Sequence, residues 1–192
     1  MKPIILASSS LRRKELLENI GLKFTIDPVE LDEALDRSLE PLKLAKNISM
    51  EKARIAAARH PDCIIIAADT FGVLEGKILG KPHTEAEARS MLKLMNGKCH
   101  EVITGFAILD TGSEKTSSKA VVTRVYFRKL SNNEIDAYVR SGEPLDKAGS
   151  YAIQELGSLL VEKIEGDYFN VMGLPLCALA SELKKFGVDL LR

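Results

Sequence analysis

The chain has 192 residues, 45% of them hydrophobic and 28% charged, a composition typical of a globular protein that buries a core without disulfides or structural metals. Basic and acidic residues number 27 each, so the formal net charge is zero. This balance argues against binding to nucleic acid polymers or anionic membranes, and any anion site has to be local. There is no apolar run long enough for a signal peptide or a membrane span, and three widely spaced cysteines predict buried, reduced thiols in a cytoplasmic protein.

Apolar runs bounded by turn residues predict strands that alternate with helices. Strands are predicted at 3–7, 23–27, 63–68, 71–74, 100–110, 115–128 and 158–164. Helices are predicted at 11–20, 41–59, 85–94, 132–140 and 175–186, with capping boxes at Thr84 and Ser131. Strand–helix units at the start and a long hairpin in the middle predict a mixed α/β sheet flanked by helices. A cleft between two halves of such a sheet is the expected binding place.

The first strand leads directly into three serines and a helix that begins close to two arginines, Arg12 and Arg13. A helix N-terminus carries partial positive charge, so cations there are unfavourable unless an anion compensates them. Backbone amides, hydroxyls and guanidinium groups gathered in one place predict a phosphate site. The alternative is that Ser10 is only an N-cap and that the arginines are solvated.

Lys52 and Asp69, which lie further along the chain, each have a functional and a structural interpretation. Lys52 lies on the apolar stripe of its helix, four residues after Ile48 and four before Ala56. The stripe consists of Leu44, Ala45, Ile48, Ile55 and Ala56. Its ammonium group either reaches solvent past the stripe or meets a phosphate or a carboxylate. Asp69 follows a buried strand, at the end where α/β sheets bind ligands, and is a metal ligand, a general base or simply a turn residue.

Three other segments carry polar side chains of interest. Lys81 lies in a Gly-Lys-Pro turn and is either a surface lysine or a second phosphate contact. The acidic loop at 30–36, which includes Glu33, is either solvated or brings Mg²⁺ to a phosphate. Gln154 pairs with a base edge or is an ordinary strand-edge amide. Together these residues predict a metal-dependent attack on a phosphate ester or anhydride.

At these segments the sequence resembles the Maf family of nucleoside triphosphate pyrophosphatases. The matching segments follow the family's order and span nearly the whole chain: 7–17, 32–33, 51–54, 68–70, 79–82, 97–105 and 142–176. The resemblance implies a single Maf-like domain over residues 1–192. It also implies an elongated, twisted sheet flanked by helices, with a central cleft between two lobes as in ITPase-like proteins, and often a homodimer.

The resemblance further implies hydrolysis of a nucleoside triphosphate between its α and β phosphates, with Mg²⁺ or Mn²⁺ as cofactor. Asp69 would accept a proton from the attacking water, and Lys52 and Lys81 would act with it in catalysis. Glu33 and Asp69 would hold the metal. The other substrate contacts would come from Ser8, Arg12, Arg13, Thr70 and Gln154.

The base preference is also implied by the resemblance. Arg12, Thr70 and Gln154 are similar to the triad of the branch that cleaves dTTP and UTP. The sister branch takes 7-methyl-GTP, usually lacks the threonine and has glutamate at the glutamine position. Phe71 departs from the family pattern, and Glu155 stands where the family commonly has glycine, so both bear on base preference. The family's link to septum formation gives an alternative function, a nucleotide-sensing regulator of cell division.

Overall fold

The computed structural model describes residues 2–31 and 39–191. Within these ranges the strands are β1 Ile4–Leu6, β2 Thr25–Ile26, β3 Ile64–Leu74, β4 Lys77–Leu79, β5 Cys99–Asp110, β6 Thr116–Phe127 and β7 Val161–Glu165. The α-helices are α1 Leu11–Asn19, α2 Pro41–Ala57, α3 Glu85–Met95, α4 Asn132–Arg140, α5 Tyr168–Met172 and α6 Leu176–Lys184. Short 3₁₀ helices lie at Glu143–Asp146, Ala148–Ser150 and Glu155–Leu160.

The strands pair in the order β2-β1-β3-β5-β6-β7, and β4 pairs with β3. Strand β1 is parallel to β2 and β3, whereas the β3–β4 and β6–β7 pairs are antiparallel. The predicted mixed α/β sheet with flanking helices is therefore confirmed. The predicted break after Ala68 is wrong, because β3 continues through Asp69 and Thr70. A β-branched threonine suits a strand, and Asp69 remains in the strand while its carboxylate pairs with a lysine.

Helix starts follow the predicted capping residues. At α4 the capping box is complete: Ser131 Oγ accepts from the Glu134 amide, and the Glu134 carboxylate accepts from the Ser131 amide at 2.8 Å. At α3 the Thr84 hydroxyl caps Glu87 as predicted. The Glu87 carboxylate, however, accepts from the His83 amide at 2.6 Å, so the capping box predicted at Thr84 is only half formed.

The chain divides into two compact units. The first unit comprises residues 1–69, 104–121 and 173–192, and the second comprises 70–103 and 122–172. Among the residues described, no helix has the length and apolar character needed to cross a membrane. The cysteines are free, but only Cys63 is buried; the prediction of buried thiols is wrong for Cys99 and Cys177, which are exposed.

Helix α2 packs in the first unit through small side chains. Its buried face consists of Leu44, Ala45, Ser49, Ala53 and Ala56. The predicted stripe is wrong at Ile55, which is 38% exposed. A methyl group built on Gly105 of β5 would overlap the backbone carbonyl of Ala45, so the helix and the strand approach at backbone distance. This contact fixes the height of α2 above the sheet.

The core of the second unit contains a buried histidine. His100, at the start of β5, is 2% exposed and its Nε2 lies 2.7 Å from the Tyr151 hydroxyl. Its ring packs edge-on against Phe127 and Tyr151, with centroids 5.1 and 5.3 Å away. Burial lowers the pKa of His100 to about 4, so the ring is neutral at pH 7.

Candidate active site

The segment between β1 and α1 folds around a buried arginine. Arg13 donates from Nη1 to Ser8 Oγ at 3.0 Å and from Nε to the carbonyl of Gly173 at 2.8 Å. Ser10 caps the helix by accepting from the Arg13 amide at 3.5 Å, as predicted for an N-cap. The alternative of a solvated arginine is wrong for Arg13, whereas Arg12 is half-buried beside it.

The electrostatics around Arg13 favour a negatively charged neighbour. Burial lowers the pKa of Arg13, and the charge of Arg12 acts in the same direction, whereas the carboxylate of Asp69 acts in the opposite one. A guanidinium is basic enough to remain charged despite this. A buried cation is stable only with compensating negative charge, and the carboxylate of Asp69 supplies such charge.

Asp69 is held by a lysine of helix α2. Lys52 Nζ lies 2.5 Å from Asp69 Oδ1, and their side chains are 16% and 25% exposed. Lys52 therefore meets a carboxylate instead of reaching past the apolar stripe to solvent. The pair is shielded enough to be more than a surface ion pair, and it fixes the orientation of both side chains.

The first unit thus brings together five of the predicted site residues: Ser8, Arg12, Arg13, Lys52 and Asp69. The other described ones, Thr70, Lys81 and Gln154, lie on three separate segments of the second unit. Thr70 is half-buried on β3, and Lys81 is exposed on the turn after β4. That turn is tied down by a hydrogen bond from the Gly149 amide to the Gly80 carbonyl at 2.9 Å.

Gln154 is half-buried and directly precedes a 3₁₀ helix. The next residue, Glu155, has φ 55°, in the left-handed region that favours glycine. The sequence did not draw attention to Glu143, whose carboxylate accepts from the Leu156 and Gly157 amides at 3.1 and 3.0 Å. Contacts from a side chain to distant backbone amides leave no periodic signal in a sequence. The Gly173 carbonyl that holds Arg13 was missed for the same reason.

The predicted metal ligands are only partly described. Glu33 lies outside the described residues. Within residues 2–31 and 39–191, His, Cys, Asp and Glu side chains form no group of three or more that would hold a metal ion. Asp69 alone still fits Mg²⁺ or Mn²⁺, because these cations prefer oxygen donors and often bind through one or two carboxylates together with substrate phosphates.

The fold and the site define a mixed α/β protein whose first unit gathers cationic groups around a carboxylate. A family model described as Maf-like protein matches residues 3–186. The chain therefore belongs to the Maf family, as the sequence motifs predicted.

The chain is also similar to two curated relatives and to one solved structure. A dTTP/UTP pyrophosphatase of Bacillus cereus is 48% identical over 189 residues, covering 98% of this chain and 92% of that protein. A dTTP/UTP pyrophosphatase of Moorella thermoacetica is 47% identical, with 98% and 97% covered. A HAM1 protein from Coxiella burnetii matches with a TM-score of 0.50 and 15% identity, over 68% of this chain and 75% of that one, which shows similarity of fold alone.

Proposed function

We propose that the protein is a nucleoside triphosphate pyrophosphatase that hydrolyses dTTP and UTP to the monophosphate and pyrophosphate. Membership of the Maf family and the names of its near relatives support this proposal. The observation that carries it is the half-buried Lys52–Asp69 pair, in the unit that also contains the buried Arg13–Ser8 pair. Cationic groups and a positioned carboxylate are what attack on a phosphoanhydride requires.

The cationic side chains would bind the triphosphate, which carries about four negative charges that repel a nucleophile. Arg13 and Lys52 would neutralise charge as it moves onto the leaving pyrophosphate, and Ser8 would donate its hydroxyl to a phosphate oxygen. Lys81 would add a further positive charge to the triphosphate site. Its side chain is exposed, on the turn that a hydrogen bond ties to Gly149.

Asp69 would accept a proton from the attacking water. Lys52 already holds one oxygen of this carboxylate, Oδ1, and therefore orients the group before substrate arrives. Asp69, together with Glu33, would hold Mg²⁺ or Mn²⁺. When bound, such a cation polarises phosphate oxygens and lowers the pKa of a coordinated water.

The base would be read by Arg12, Thr70 and Gln154. A glutamine carboxamide has one donor and one acceptor end, which matches the adjacent N–H and C=O groups of uracil and thymine. Exposed free thiols at Cys99 and Cys177 support a reducing compartment, the cytoplasm.

The experiment that tests this function is pyrophosphate release from dTTP, UTP and 7-methyl-GTP, with and without Mg²⁺, by the wild-type protein and by Asp69→Asn. We expect the substitution to lower kcat about 10²–10⁴-fold, because the amide cannot accept the proton, while nucleotide binding is retained. A matched control is Asp62→Asn, which removes an exposed carboxylate paired with Lys2 in the same unit.

The control should keep wild-type activity. Undiminished turnover by Asp69→Asn would remove this residue from its catalytic role. A preference of the wild-type protein for 7-methyl-GTP would instead place the chain with the sister branch. Nucleotide binding without turnover would favour the regulatory alternative.

A further inference from the structure

The segment that carries Gln154 forms a closed loop. A Cβ atom built on Gly157 would overlap the carbonyl oxygen of Ala152, so the backbone at Gly157 lies directly against the backbone at Ala152. Gln154 and Glu155 lie between them, and Glu155 has the left-handed φ of 55°. A loop closed this tightly does not hold its shape by local preference, because a non-glycine residue disfavours the left-handed conformation.

A single pair of side chains holds the loop backbone just after Gln154. Glu143 Oε1 accepts from the Gly157 amide at 3.0 Å, and Oε2 accepts from the Leu156 amide at 3.1 Å. Tyr138 donates its hydroxyl to Glu143 Oε1 at 2.8 Å. We call Tyr138 and Glu143 the loop clamp.

The clamp has a defined protonation pattern on the tyrosine side. Tyr138 is 5% exposed, and burial, with the neighbouring Glu143 carboxylate, raises the pKa of its hydroxyl far above the usual value. The hydroxyl is therefore protonated at neutral pH and donates to Glu143. The Glu143 carboxylate receives three donors, and hydrogen bonds to a charged acceptor are about twice as strong as neutral ones.

We propose that Glu143, oriented by Tyr138, is a positioning residue that sets base discrimination by holding the loop backbone that follows Gln154. This inference rests on the proposed function, in which the Gln154 carboxamide reads the base. The clamp acts through the loop backbone, so its loss changes how well the carboxamide meets the base edge and leaves the phosphate contacts of the first unit unchanged.

The decisive variant is Glu143→Gln. Its amide group would face a backbone N–H, donor against donor, so at least one of the clamp contacts is lost. We expect KM for dTTP to rise about tenfold with little change in kcat, and the preference for dTTP over dATP to fall about tenfold. The inhibition constant of inorganic tripolyphosphate, which has no base, should be unchanged. Tyr138→Phe, which leaves both backbone contacts of Glu143 in place, should show the same pattern more weakly.

A double-mutant cycle separates positioning from a general structural effect. In a Gln154→Ala background, Glu143→Gln should alter base preference by less than about twofold, because the carboxamide that it positions is absent. The control pair is Tyr126 and Glu165, joined by the same type of hydrogen bond at 2.7 Å but exposed and on β6 and β7. Tyr126→Phe and Glu165→Gln should leave both KM and base preference at wild-type values.

The outcomes distinguish this inference from the proposed function. If the wild-type protein releases no pyrophosphate from dTTP, the proposed function itself is wrong. If it does, but Glu143→Gln keeps its base preference, only the role of the clamp is overturned. Additive effects of the Glu143 and Gln154 substitutions, or a parallel rise in the tripolyphosphate constant, would overturn it equally. Should Glu143→Gln fail to fold, unchanged base preference in Tyr138→Phe decides against the proposal.

Discussion

Glu155 shows how a single residue reveals the geometry that its neighbours require. Its φ of 55° lies where a side chain is disfavoured and glycine is not. The sequence comparison with the family had singled out this position only as a departure from a common glycine. The structure gives the physical reason: the backbone at this position is left-handed, a conformation that suits glycine.

Glu155→Gly should therefore stabilise the protein. The left-handed conformation costs an L-residue about 1–2 kcal/mol, while glycine loses about 0.5–1 kcal/mol more backbone entropy on folding. The expected net gain is about 0.5–1 kcal/mol in the free energy of unfolding, measured as a higher midpoint in urea. Glu162→Gly on β7, where glycine has no such advantage, is the control and should be destabilising. A lower midpoint for Glu155→Gly would show that the side chain contributes more than its backbone costs.

How well a site residue can be predicted depends on how far away in sequence its contact partners lie. Ser10 as an N-cap is a contact between residues three apart, and local sequence is enough to predict it. Lys52 and Asp69 were singled out separately, by helical periodicity and by a strand end, but the bond between them joins distant segments. Glu143 lies in a segment that matches the family, but no local pattern assigns it a role, because its partners are backbone amides more than ten residues away.

At the level of elements, the longer helices were predicted well and the short segments were missed. Helix α4 matches its prediction residue for residue, because its capping box and its apolar period agree. Helix α5 and the 3₁₀ helices are too short to show a period. Strand β3 was split because an aspartate in a sequence usually marks a turn, and only tertiary contacts reveal a charged residue in the middle of a strand.

The burial of His100 makes the free energy of unfolding depend on pH. Burial lowers the pKa of His100 from 6.5 to about 4, so between these values the unfolded chain binds a proton that the folded chain does not. The contribution of the neutral ring to the free energy of unfolding is fully present above pH 6.5 and is lost as the pH falls towards 4. The expected loss is up to about 3 kcal/mol.

His100→Gln should remove this dependence. Glutamine keeps a polar partner for Tyr151 but does not titrate, so its unfolding free energy should fall less between pH 7 and pH 4.5 than that of the wild-type protein. Urea unfolding at a series of pH values measures the difference. His83→Gln, at an exposed position before α3, should keep the wild-type slope. Equal slopes for wild type and His100→Gln would contradict the buried-histidine explanation.

At the scale of the whole molecule, zero net charge means that nucleotide binding depends on local groups and not on a long-range field. The family could be predicted from the sequence because its motifs span nearly the whole chain. The fold class followed from the alternation of strands and helices. The metal site could not be completed, since Glu33 lies outside the described residues.

Ligand binding gives a measurement on the whole protein. A dTTP analogue with an uncleavable α,β bridge, at 100 times its Kd with Mg²⁺, should stabilise the folded state by about 2.7 kcal/mol. This corresponds to a rise in Tm of roughly 5–10 °C for a chain of this size. EDTA should reduce the rise strongly, and thymidine with Mg²⁺ should produce almost none. The same Tm rise in EDTA would contradict the proposed divalent cation.

The contact between Gly105 and Ala45 has a consequence for the chemistry. Helix α2 rests on β5 with no side chain between them, and the same helix carries the ammonium of Lys52 to Asp69. Even one methyl group at position 105 would act as a wedge that lifts the helix and draws the lysine away from its carboxylate. The distance from the Lys52 ammonium to Asp69 thus depends on residue 105 having no side chain, although that residue touches neither of the two.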